Sequence, residues 1–120
     1  MFYAILWTWI FLEFLVLLKI FFGFLLSFKP PKRNGYIGFR TSKTLENDNA
    51  WDFANHECGK LWLFFGCLEF VTSLSVLYLT YDGFKSINEL YIPLIYVTFS
   101  VITLIITTLI VKRKVDKLKI

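Results

Sequence analysis

Three apolar runs decide most of what this chain can become. Residues 2–28, 61–81 and 90–111 are each long enough, at about 1.5 Å per helical residue, to cross roughly 30 Å of hydrocarbon. Backbone polar groups in lipid must be paired internally, so all three runs are predicted to be helices, the β-branched third one included. Gly23 and Gly66 do not overturn this, and Pro93 falls near the start of its helix, where a missing N–H matters least. The 120 residues are 57% hydrophobic and include 14 Phe and 4 Trp, more than a soluble domain of this size can hide. The expected fold class is therefore an all-α integral membrane protein with three transmembrane helices, organised as one domain over residues 1–120 without internal repeats.

The first run is not a convincing signal peptide. It has no basic start, is too long, and lacks a small-residue cleavage pattern before Lys29. It is expected to remain as a helix of the mature protein. Lys29, Lys32, Arg33, Arg40, Lys43 and Lys60 lie between the first two runs, and Lys112, Arg113, Lys114, Lys117 and Lys119 follow the third. Three crossings put both groups on one side, opposite Lys85 and the terminal amine. The positive-inside bias predicts that the 29–60 loop and the tail are cytoplasmic and the N-terminus outside. Anchoring at headgroups and attraction to anionic membrane lipids account for the +4 net charge, which gives no reason to expect nucleic acid as a partner.

The 29–60 segment is the one long polar passage. KPPKRN, residues 29–34, stops the first helix with two prolines. Asn34-Gly35 and Gly38 favour a turn with unusual backbone angles, and residues 36–39 suit an interfacial loop. A helix start is expected at Thr44 to Asp48, with Thr44 or Asn47 as cap and Glu46 and Asp48 in the first turn. Trp51, Asn55 and Cys58 recur at helical spacing, which predicts a short amphipathic helix lying on the membrane or running straight into the second crossing. The 82–89 connection is too short for a folded module, confining function to the bundle and this loop.

Catalytic chemistry is hard to assemble from these residues. His56 is the only histidine, and His56-Glu57 is not H-E-x-x-H, so no metal and no cofactor are expected. Thr41, Ser42 and Thr44 near Arg40 have no histidine to activate them except His56, at a distance the sequence does not set. Gly35-x-x-Gly38 lacks the glycine pattern and the Lys-Ser/Thr ending of a phosphate loop. Cys58 and Cys67 fall about 13 Å apart along one helix, too far for a disulfide. Arg40 offers a bidentate clamp for a lipid phosphate, for a carboxylate such as Asp48 or Asp52, or for a partner protein.

Charges inside the apolar runs are costly and usually need partners. Lys19 lies about 15 Å, and Glu69 about 13 Å, from the basic boundary, so they fall level on antiparallel neighbours. A Lys19–Glu69 ion pair is the favoured expectation. The alternatives are a snorkelling Lys19 with Glu69 neutral or bonded to Thr72 or Ser73, and a proton or ion pathway. Glu13, about 24 Å from that boundary, suits either an outward-facing polar recess or helix packing, with Trp7 and Trp9 above it as an interfacial belt.

The run Asn34, Gly35, Ile37-Gly38-Phe39-Arg40-Thr41, Thr44-Leu45, Asn47 and Trp51-Asp52-Phe53-Ala54, followed by Gly59 and Gly66, resembles the SdpI family of bacterial membrane proteins. That resemblance covers most of the chain, which reads as a short, three-crossing form. It implies a multi-pass protein of the bacterial cell membrane and a non-enzymatic immunity function against a secreted toxin peptide. Asn34, Gly35, Gly38, Arg40, Thr41, Asn47, Trp51 and His56 become the candidates for the family motif and for partner contact. Other functions in view are a small transporter or channel component and an adaptor that retains a cytoplasmic regulator. A homo-oligomer would bury some of the extensive apolar faces.

Overall fold

The computed structural model describes residues 1–34 and 38–118. Its elements are α1 (Phe2–Phe28), α2 (Ser42–Glu46), α3 (Asp48–Thr80), a 3-10 turn (Ile87–Leu90) and α4 (Tyr91–Asp116), with no strand among the described residues. Three segments are long and apolar enough to cross a membrane: α1, α3, and the 3-10 turn continued by α4. The predicted second run is the far part of a single helix that starts at Asp48. The third run continues past Val111 to Asp116, where Arg113 and Lys114 complement the negative end of the helix dipole.

The molecule measures 56 × 22 × 22 Å, longer than the roughly 40–45 Å of a whole bilayer. Helix α3, at 33 residues, runs for about 50 Å. Its first turns therefore stand beyond the hydrocarbon core, and there α2 and residues 38–41 pack against it.

The bundle is assembled inside out relative to a soluble one. On α1 the buried positions are Ile5, Trp9, Leu12, Val16, Lys19, Gly23 and Leu26, alternating steps of four and three along one face. The buried face of α3 holds Ala54, Asn55, Cys58, Gly59, Gly66, Glu69 and Ser73, and that of α4 holds Ser100, Thr103, Thr107, Val111 and Val115. Large apolar side chains such as Phe14, Phe21, Phe64, Tyr78, Ile95 and Leu109 point outward. Lipid tails are as apolar as these residues, so burying them gains little; small and polar residues bring helices together instead. A Cβ on Gly59 would lie 2.5 Å from the Ser27 backbone nitrogen, and one on Gly23 2.6 Å from that of Leu63. Both glycines are where α1 and α3 touch backbone to backbone.

Trp9 departs from expectation. Trp7 is 63% exposed, as a belt residue should be, but Trp9 is 4% exposed because its position shares the packed face with Ile5 and Leu12. It belongs to an apolar cluster with Val16 and Phe84. Phe84 adopts a left-handed backbone (φ 55°) after Gly83 (φ 92°), which turns its ring inward against Tyr81 and Phe2. A second apolar cluster, around Leu26, Phe39, Ala54, Cys58, Val111 and Val115, fills the opposite, basic end.

Candidate functional site

Between the two apolar clusters lies a charged layer. Lys19 (5% exposed) and Glu69 (1% exposed) form the expected ion pair: the Lys19 ammonium donates to both Glu69 carboxylate oxygens at 3.0 Å. Helix α4 closes the layer. Lys19 Nζ also lies 2.9 Å from Ser100 Oγ, 3.1 Å from the Ser100 carbonyl and 2.7 Å from Thr103 Oγ1. The same hydroxyls face the carboxylate, Thr103 donating to Glu69 Oε1 at 2.9 Å and Ser100 to Oε2 at 3.2 Å. Each hydroxyl thus accepts from the cation and can pass a proton bond to the anion. Such satisfaction of every lone pair is what a charge pair needs to persist in a low-dielectric interior.

The hydroxyls expected near Glu69 act elsewhere. Ser73 donates to Glu13 Oε1 at 2.7 Å, and Thr72 back-bonds to the Leu68 carbonyl. Glu13 is thereby in helix-packing contact with α3, and its other oxygen is buried without a hydrogen-bond partner. Thr107 Oγ1, on the same face of α4 as Thr103, is likewise buried and unpartnered. Ser100 and Thr103 were the residues that sequence reasoning missed. Their signal was present: Ser100, Thr103 and Thr107 recur at helical steps in an otherwise apolar helix.

The motif residues build a folded cap at the basic end. Gly38 has φ 114°, a conformation for glycine, and a Cβ there would strike the Asn55 side chain at 2.7 Å and the Trp51 ring at 2.9 Å. That close fit lets the next residue, Phe39, donate its N–H to Asn55 Oδ1 at 2.7 Å, while Asn55 Nδ2 donates to the Trp51 carbonyl. Trp51, 1% exposed, donates its indole N–H to the Pro31 carbonyl at 2.8 Å. Asn55 is thus the pivot of the cap.

Of the two expected caps, Asn47 holds the position at the start of α3, while Thr44 lies inside the separate helix α2. Thr41 is the N-cap of α2, in a reciprocal capping box with Thr44, and Asn47 caps α3 by accepting from Asn49 and Ala50. Asp48 sits in the first turn of α3, whereas Glu46 ends α2. Asn34 donates to the Lys32 carbonyl, and His56 Nδ1 lies 3.0 Å from the Ser27 carbonyl, tying α3 to α1. Asp48 pairs with Arg33 at 3.3 Å. Arg40 is exposed at the mouth of an apolar cleft. Gly35, with Tyr36 and Ile37 of the anticipated interfacial loop, lies outside the described residues.

The cap is also fastened to α4. Lys43 donates to the carbonyls of Leu118 and Asp116, and Lys114 reaches Glu57 at 3.0 Å.

Fold and site together define a three-helix integral membrane protein, closed at its basic end by a hydrogen-bonded cap and crossed at mid-bundle by a buried ion pair. The chain belongs to the SdpI/YfhL protein family, whose profile matches residues 31–112. Neither the curated proteins nor the solved structures gave a match. The matched segment contains the cap, Glu69, Ser100 and Thr103; α1, with Glu13 and Lys19, precedes it.

Proposed function

We propose that this protein is a non-enzymatic immunity protein of the bacterial cell membrane, which protects its host from a secreted toxin peptide by intercepting it or blocking its action within the bilayer. The family match over residues 31–112 carries the reading. The basic cap and tail are taken as cytoplasmic, following the distribution of Lys and Arg. A peptide entering the bilayer would then meet the lipid-facing aromatic surface of the bundle first. The partner in this reading is the peptide itself, and the cap keeps the helices in the arrangement that receives it.

The test is survival of a sensitive host exposed to the peptides co-produced with this protein. Wild type should protect; Asn55→Ala and Glu69→Gln, at matched membrane levels, should protect less. A C-terminal reporter should read as cytoplasmic. No protection by wild type against any such peptide would overturn the immunity reading, and an external reporter signal would overturn the orientation.

A further inference from the structure

We propose that the cleft beside the cap is a binding site for one anionic phospholipid, with an acyl chain between the helices and the phosphate at Arg40. The cleft has a volume of about 660 Å³, within the usual range of small-ligand pockets. Phe22 and Leu26 of α1, Phe39, Leu45 of α2 and Trp62 of α3 make its walls apolar, while Arg40 and Thr41 supply polar groups. A free phosphate would have no use for such walls, and the positive end of the molecule favours an anionic headgroup over a neutral one.

Three further observations fit a lipid. The cleft lies where the apolar runs give way to the basic flanks: Leu26 stands two residues from the end of α1, and the lining residue Thr108 four before Lys112. That is the depth of the glycerol and phosphate of a bilayer lipid. Second, the described residues of this end, 29–34, 38–60 and 112–118, hold ten Lys and Arg against five Asp and Glu, giving a positive field that attracts anionic headgroups. Third, the indole nitrogen of Trp62 is buried without a hydrogen-bond partner. Guanidinium geometry suits a phosphate held by two parallel N–H bonds, which a lysine would not reproduce.

The experiment is native mass spectrometry of the full chain released from detergent micelles containing phosphatidylglycerol and phosphatidylcholine of identical chains in equal amounts. One phosphatidylglycerol should be retained per protein, with a preference of about fivefold, the discrimination one cationic contact supplies at a membrane surface. Arg40→Gln should keep lipid binding but lose the preference. Thr108→Phe, a change at an exposed lining position, should abolish retention of both lipids while helicity stays unchanged. Excess inorganic phosphate should not displace the lipid. Equal retention of the two lipids by wild type, or full retention by Thr108→Phe, overturns the proposal. Displacement by inorganic phosphate would reduce the site to an anion contact, and paired copies in place of lipid would make the cleft a self-association surface; either result overturns it too.

Discussion

Glu69→Gln keeps the shape of the side chain and removes its charge, leaving the Lys19 ammonium 5% exposed among hydroxyls and one carbonyl. Removing one partner of a buried pair typically costs about 3–5 kcal/mol. Ser100 and Thr103 still contact Lys19, and interhelical hydrogen bonds in membranes are worth about 0.6 kcal/mol each, so a cost near the lower bound, about 3 kcal/mol, is expected. Lys19→Met leaves the opposite defect, a carboxylate that still accepts from Ser100 and Thr103, and should cost a similar amount. The double variant Lys19→Met/Glu69→Gln removes both charges and leaves neither unpaired, so it should cost no more than either single. The cycle should therefore show a coupling of about 3 kcal/mol or more, far from the additivity of independent sites. The assay is reversible unfolding in mixed micelles with rising dodecyl sulfate, followed by helicity and Trp fluorescence. Single variants that each cost less than about 1 kcal/mol and simply add would refute the claim that the pair is closed and buried.

Two further variants probe close contacts, the glycine pair by the same unfolding assay and Asn55 by proteolysis. Gly59→Ala should destabilise by about 1–3 kcal/mol, because its Cβ meets backbone at 2.5 Å, whereas Gly66→Ala should cost less, its nearest obstacle being the Ile20 Cγ1 at 2.7 Å. Equal costs at the two glycines would contradict the backbone contact of α1 with α3. Asn55→Ala strips the Phe39 N–H of its acceptor at a cost of about 1–3 kcal/mol, felt mainly in the cap. Limited proteolysis should then cut the 34–41 segment faster, and an unchanged digestion rate would argue against Asn55 as pivot.

The sequence made the three crossings legible through length and hydropathy, because lipid leaves a polypeptide so few ways to pair its backbone. Lys19 and Glu69 were legible as a pair for a related reason: two charges at one depth on neighbouring helices have almost no other partners. Which face each helix buries was harder to read. With apolar residues all round α1, hydropathy carries no period, and Trp9 and Trp7 look equivalent until Lys19 and Gly23 are used to mark the seam. The third helix is hard to read for the opposite reason. Ser and Thr cost little in a membrane helix because they can bond their own backbone, as Thr98 and Thr108 do, so a hydroxyl there does not announce whether it faces a partner. Only spacing separates Ser100, Thr103 and Thr107 from those. In the cap, motif residues were visible as a group, but Asn55 looked like one more position on a helical stripe, since its role depends on where Gly38 brings the chain back.

The cap and the charged layer sit on one uninterrupted helix. Asn55 and Glu69 are both on α3, about 21 Å apart along its axis. If α3 slid against α1 by one residue, it would also turn by about 100°, and Glu69 would leave Lys19 as Asn55 left Phe39. Apolar contacts resist such a shift weakly in a membrane, because the faces turned outward are as apolar as those turned in and lipid rewards neither. The glycine contact at Gly23 and Gly59 sets how close the helices come, but polar contacts at two distant levels choose among the registers that closeness allows. A buried charge pair that adds little net stability can therefore still be decisive for which structure forms, and the cap hydrogen bonds impose the same register from outside the hydrocarbon.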